Sequence, residues 1–255
     1  MKLKTTIFFT ILLIAATSVF AQPAKTAETK PATDTKLPSA KEIIDRYVKA
    51  IGGREANEKI KTRSIKGTIE LSPMGVKGTT ESIAAAPDKS YTKLSLAGLG
   101  DIIESYDGLV AWTINPLQGN RDKSGAELLQ TKLASNFHRE INLDKLYSNL
   151  TVKGTEKVGD REAYVVVGTP SGLEPQTFYF DKQTGYLLRE DSTLVTPEGK
   201  TPIKTFYEDV RETDGVKTPH KMRVLTPQFE IITIVTEVKN NAPVDEKIFS
   251  KPAAK

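Results

Sequence analysis

The sequence predicts an α+β fold, mostly antiparallel β, and three observations carry that prediction. Aromatic and β-branched residues alternate with polar ones in runs of about five to twelve, separated by short turns rich in Gly and Asp. An amphipathic helix with its own capping box opens the folded part. One leucine stripe at helical spacing interrupts the strands in mid-chain.

Taken in order, Lys2 and Lys4 precede an apolar run from Ile7 to Phe20 that closes on Val19-Phe20-Ala21, the pattern of a signal peptide cleaved after Ala21. Residues 22–37 are rich in Pro, Ala, Thr and charge and lack periodicity, which predicts a disordered tether. A single domain is expected over residues 38–250, followed by a short tail at 251–255. Ser39 and Glu42 form a capping box. Ile43, Ile44, Tyr47, Val48 and Ile51 then fall on one helical face, and Gly52-Gly53 offers a left-handed stop. A second helical turn is weakly signalled at 55–60.

From Ser64 the period changes to two. Hairpins are expected at Ser72–Gly75, at Pro87-Asp88, around Gly98 and Gly100, and at Asp107-Gly108, the last feeding a strand from Leu109 to Ile114. Ser124 and Glu127 read as a second capping box, opening a helix with Leu128, Leu129 and Leu133, and a further short helix is expected between Phe137 and Tyr147. Strands resume at Leu150–Lys157 and Glu162–Thr169. Gln176–Glu190 is a hairpin turning at Gly185, with Phe178 and Phe180 on one side of its first arm and Tyr179 on the other. Lys204–Glu212, His220–Leu225 and Phe229–Asn240 complete an antiparallel meander.

Several function classes find no support. Removing residues 1–21 takes away two lysines, so the net charge falls from +4 to +2, and the remaining Lys and Arg are interleaved with Asp and Glu; no basic face for nucleic acid is expected. With no Cys, neither a disulfide nor a lipid-modified cysteine is available. His138 and His220 are far apart and without metal-ligand spacing, so no metal site is expected, and both read as exposed or half-buried surface residues. Glu190-Asp191 and Glu208-Asp209 point to opposite faces of their strands, cannot act from one side, and read as solvated strand edges. Neither a GxSxG elbow nor a phosphate loop occurs. The expectation is no enzyme and no cofactor.

Two features point towards binding instead. In Phe229–Asn240, Phe229, Ile231 and Val235 share one side and Ile232, Ile234 and Val238 the other, so both faces need cover. The cover is either a packed barrel core or a cavity with a ligand in it. The turns around Met74 and Val76, and around Leu96 and Leu99, are apolar where turns are usually polar. They either fold back on the sheet or serve as mobile or membrane-touching tips.

The order of elements, with Ile51-Gly-Gly, Tyr179-Phe-Asp-Lys-Gln-Thr-Gly-Tyr-Leu-Leu-Arg189, Tyr207-Glu-Asp-Val-Arg211 and Asp214-Gly-Val-Lys-Thr-Pro219, resembles the bacterial outer-membrane lipoprotein-sorting proteins of the LolA/LolB-like group over residues 38–250. The resemblance implies an unclosed or half β-barrel: a strongly curved antiparallel sheet whose concave face is covered by helices, with a hydrophobic cavity between them. It also implies a periplasmic or secreted carrier whose partner is a lipid or acylated lipoprotein. Ile43, Tyr47, Trp112, Ile114, Leu129, Phe178, Phe180, Ile232 and Ile234 are the candidates for the cavity lining. Transient membrane contact through the tips fits that reading, and charged strand edges predict a monomer. The competing expectation is an envelope sensor or scaffold of the same fold that acts through contact with another envelope protein.

Overall fold

Thirteen antiparallel strands form one sheet in the computed structural model, which describes residues 36–116 and 118–252. The predicted signal peptide, the tether up to residue 35 and the last three tail residues lie outside the described residues. Six strands come first: β1 (Thr62–Ser72), β2 (Val76–Ala85), β3 (Lys89–Leu96), β4 (Gly100–Tyr106), β5 (Ala111–Asn115) and β6 (Gly119–Asp122). Seven follow the mid-chain helices: β7 (Tyr147–Val158), β8 (Arg161–Pro170), β9 (Gln176–Asp181), β10 (Leu187–Thr196), β11 (Gly199–Thr213), β12 (Val216–Leu225) and β13 (Glu230–Asn240). The spatial order is β6-β5-β4-β3-β2-β1-β13-β12-β11-β10-β9-β8-β7, so the first strand pairs with the last and the outer strands β6 and β7 are left unpaired with each other.

The sheet is curved and open, as the resemblance implied. Its curvature follows from helix α3 (Gly125–Ser135), which touches β4 and β5 on one flank and β10 on the other although eight strands span that distance along the sheet. Gln130 of α3 reaches the β10 backbone, donating to the Thr193 carbonyl and accepting from the Val195 N–H at 2.9 Å. At the rim, Gln118 donates to Glu198 at 2.9 Å and closes the same span from turn to turn.

Helix α1 (Ala40–Ala50) forms as its local sequence dictates, with both arms of the Ser39–Glu42 capping box made. Its buried face, Ile43, Ile44, Tyr47 and Val48, joins Val166, Phe178, Phe180 and Leu187 in the main core. The β9–β10 hairpin holds the helix. Asp181 is buried and accepts from the Gln183 and Thr184 N–H groups at 2.6 and 2.7 Å, and the turn it shapes offers the Gln183 carbonyl to Arg46 at 2.8 Å. Helix α2 (Gly53–Lys59) follows after a corner at Gly52, whose φ of 112° and approach to the Gly215 carbonyl leave no room for a Cβ. Lys217 N–H donates to the Ile51 carbonyl at 3.0 Å, which pins this corner to the start of β12.

Several local expectations are corrected. Ser124 makes no side-chain cap on α3, and the Glu127 carboxylate, instead of reaching back to it, is engaged by Arg121 of β6 in a two-pronged pair at 2.7 and 2.8 Å. Leu109 and Val110 lie in a turn rather than a strand: the Asp107 carboxylate accepts both of their N–H groups, and the side chains stand 82% and 42% exposed. Strand β6 was not anticipated, since Gly119–Asp122 carries no apolar alternation. The further short helix expected between Phe137 and Tyr147, by contrast, does form, as α4 (Leu143–Leu146), preceded by a 3-10 turn, Arg139–Ile141. His220 is buried within β12, its Nδ1 against the Thr218 carbonyl at 3.1 Å, and is therefore no surface residue.

Candidate functional site

A cavity of about 220 Å³ lies between the helices and the inner face of the sheet. The α1–α2 corner supplies Tyr47 and Ile51, α4 supplies Leu143, and the sheet supplies Phe178, Leu187 and Val235 among others. Most of this wall is apolar because inward positions of β9–β13 alternate with outward charged ones. Phe178 is fixed by Tyr147, edge-on at 5.1 Å, and by Phe180, stacked at 6.1 Å.

One wall is polar. Arg139, on the 3-10 turn, ion-pairs with the buried Glu190 of β10 at 2.7 Å and donates to the Tyr147 hydroxyl at 2.6 Å. Tyr147 passes its own proton to Gln176 at 2.7 Å, and Tyr207 donates to the other Glu190 oxygen at 3.1 Å. The cluster stands between the cavity and a second, more polar groove of about 450 Å³ towards α3, and Arg139, Glu140 and Tyr207 line both. Burial alone would pull the Arg139 guanidinium down, but the facing Glu190 carboxylate and the two tyrosines reverse this and hold it well above its ordinary value. Arg139 is charged at every accessible pH.

This corrects the reading of Glu190 as a solvated edge residue. The Glu190-Asp191 pair does split across the sheet, but the inward member is buried against Arg139, and Asp191 is the outward one, paired with Arg189 at 2.7 Å. Glu208 and Asp209 are held by Arg223 and by Arg211.

Burial pushes the tyrosine hydroxyls of this wall upward: Tyr147 to about 12, with Tyr207 and Tyr47 raised further by burial and by nearby carboxylates. An acid whose folded value is raised contributes stability that is complete below its unfolded value of 10.0 and is lost as pH climbs through the folded value. Urea midpoints are therefore expected to fall from pH 10 to 12, each of the three removing up to about 1.4 kcal/mol per pH unit. Tyr207→Phe should make the fall shallower. Midpoints that stay level across that range would contradict the arrangement.

The candidate lining residues divide by position. Tyr47 and Phe178 line the cavity, and Ile43 and Phe180 sit in the same core behind it. Trp112 is buried elsewhere, under the 3-10 turn Glu246–Phe249, where its indole N–H donates to the Phe249 carbonyl at 2.9 Å. Ile114 is a half-buried residue of β5 in the same half of the sheet. Leu129 lies 38% exposed on α3 beside Gly172. Ile232 is half-buried and Ile234 38% exposed, because Val235 is the member of β13 that faces inward, and a bulge opposite Lys66 and Gly67 breaks the parity so that Val238 pairs with the cavity-lining Ile65. Of the apolar tips, Leu96 is buried, Val76 and Leu99 are half-buried, and Met74 is exposed. Arg63, Arg139 and Lys217 escaped the sequence reading, since single cations on strands and irregular segments carry no spacing signal.

No protein-family profile matches the chain, and no curated protein matches its sequence. Solved structures do. A LolA superfamily protein from Nitrosomonas europaea is 13% identical, with a TM-score of 0.57 over 84% of this chain and 99% of its own. A DUF1329 family protein from Desulfovibrio piger is 17% identical, with a TM-score of 0.55 over 83% and 97%. A putative outer-membrane lipoprotein-sorting protein domain from Vibrio parahaemolyticus is 14% identical, with a TM-score of 0.51 over 82% and 97%. The chain thus has the LolA-like fold that its strand and turn signatures resembled.

Proposed function

We propose that the protein is a non-enzymatic, extracytoplasmic carrier that holds an acyl chain of a lipid or lipoprotein in the cavity between helices and sheet. The observation that supports it is the largely apolar cavity between the helices and the inner face of a LolA-like sheet, in a sequence whose start reads as an export leader and tether. Size sets the cargo. A cavity of about 150 Å³ accommodates benzene, so 220 Å³ takes roughly nine carbons of one chain without rearrangement. At about 0.8 kcal/mol per buried methylene, affinity should rise roughly fourfold for each added CH₂ and level off near that length unless α1 moves aside.

Native mass spectrometry of the purified protein, followed by organic extraction, is expected to show a bound acyl species in stoichiometric amount. A fluorescent fatty-acid probe should be displaced by alkyl chains with the stated length dependence. An apo mass together with no probe displacement would remove the carrier reading. Contact with an envelope protein, for which the exposed Leu109-Val110 turn is available, would then take its place.

A further inference from the structure

The cavity wall is not neutral. Among its lining side chains are three cations, Arg63, Arg139 and Lys217, and one carboxylate, Glu140. Arg139 is balanced by Glu190. Arg63 and Lys217 have no carboxylate ion-pair partner among the described residues: Arg63 donates its Nε to Asn240 at 2.9 Å and lies 5.8 Å over the Phe137 ring, and Lys217 lies 6.0 Å over the Tyr186 ring. A half-buried guanidinium held by one amide and an aromatic face is short of an acceptor. Burial lowers its proton affinity accordingly.

A second observation lies beside the first. Thr218, which also lines the cavity, has a buried Oγ1 without a hydrogen-bond partner, the one such atom among the described residues. A buried hydroxyl left unpaired is destabilising, and buried polar atoms are ordinarily hydrogen-bonded, which points to a partner that this hydroxyl donates to. Arg63, Lys217 and Thr218 share one end of the cavity. The Asn240 side chain that receives Arg63 also donates to the Thr213 carbonyl at 3.4 Å and to Asp214 at 3.2 Å, in the turn that leads into Lys217 and Thr218.

Resting on the carrier reading, we propose that the cargo is an amphiphile with an anionic head, a carboxylate or phosphate. Its head is held at the Arg63–Lys217–Thr218 end and its chain runs against Tyr47, Phe178 and Leu187. The oxygens of such a head supply the acceptors that these three side chains lack, with both cations and the Thr218 hydroxyl donating to it. A neutral glyceride or alcohol would bury the chain but leave Arg63 and Thr218 as they are.

The test compares heads on one chain. Decanoate, decyl phosphate, decanol and decyltrimethylammonium are titrated against the protein by calorimetry and by probe displacement, with acetate and inorganic phosphate as chainless anions. Decanoate or decyl phosphate is expected to bind at least about tenfold more tightly than decanol, with the quaternary ammonium weakest. Arg63→Gln should remove most of that preference and leave decanol within about twofold of its original affinity, and Lys217→Gln should do the same to a smaller degree. Thr218→Val should lower decanoate affinity severalfold without touching decanol. Equal affinity for decanoate and decanol would overturn the head assignment and leave the carrier reading standing. Failure of every decyl compound would overturn both. Acetate or phosphate competing as well as decanoate would show an anion site that needs no chain, and would overturn the amphiphile.

Discussion

Arg139→Met is expected to cost the fold about 3–5 kcal/mol, read as a shift in urea midpoint, because it leaves the Glu190 carboxylate buried without its counter-charge. The two side chains are only 15% and 9% exposed, so solvent screens the pair weakly and cannot replace the lost guanidinium. The Tyr147 hydroxyl loses its donor in the same change. Arg139→Met combined with Glu190→Leu should recover most of the loss, since two apolar side chains of similar volume avoid the desolvation that both charges bear. Glu190→Leu alone strands the arginine and should resemble the first variant. Stability is then a property of the pair, and the double-mutant cycle should return a coupling of several kcal/mol. A single variant that loses less than about 1 kcal/mol, or a double variant no better than the sum of the singles, would mean that water or another group already satisfies Glu190.

Phe178→Ala is expected to lose about 3–5 kcal/mol as well, by a different route: a ring only 1% exposed disappears from contact with Tyr147 and Phe180 and leaves a void. That void opens into the cavity, since Phe178 lines it. If the cavity carries an acyl chain, the variant should be less stable yet accept longer chains, its affinity plateau moving up by about six carbons, the number the ring occupied. Phe180→Ala is the control. It is equally buried in the same core but does not line the cavity, so it should lose similar stability and keep the original plateau. Equal plateaus in the two variants would place the chain elsewhere.

What could be read from the sequence follows from how local each determinant is. The Ser39–Glu42 box needs only four residues, and both of its bonds form. The β9–β10 hairpin needs one polar turn between two alternating arms; Phe178 and Phe180 face the main core and Tyr179 the opposite face, as their parity requires. The Ser124–Glu127 box has the same four-residue pattern but does not form: Arg121, from a strand with no apolar alternation, takes the Glu127 carboxylate that would have reached back to Ser124.

Faces were harder. Where a strand is apolar on both sides, as β13 is, parity groups Ile232 with Ile234 and sets Val235 against them, but nothing in the strand says which group points inward. The Glu190-Asp191 pair is the polar version of the same ambiguity, since which carboxylate is buried depends on an arginine 51 residues earlier. The polar wall of the cavity was therefore illegible: Arg63, Arg139 and Lys217 come to it from three separate elements, and Arg139 meets its partner Glu190 of β10 only once the sheet has curved.

The meeting of β1 and β13 also dictates an order of assembly. Every other strand pairs with its neighbour in sequence, so β1–β6 and β7–β13 can each zip as a local meander with short loops to close. The seam between them joins Arg63 to Asn240 and Ser72 to Glu230, across more than 150 intervening residues, and is the step with the greatest loop-closure entropy. Until that seam forms, β1 and β13 are the edges open to wrong partners. The sheet can be sealed only once β13 has been made, and β1 keeps an open edge until then.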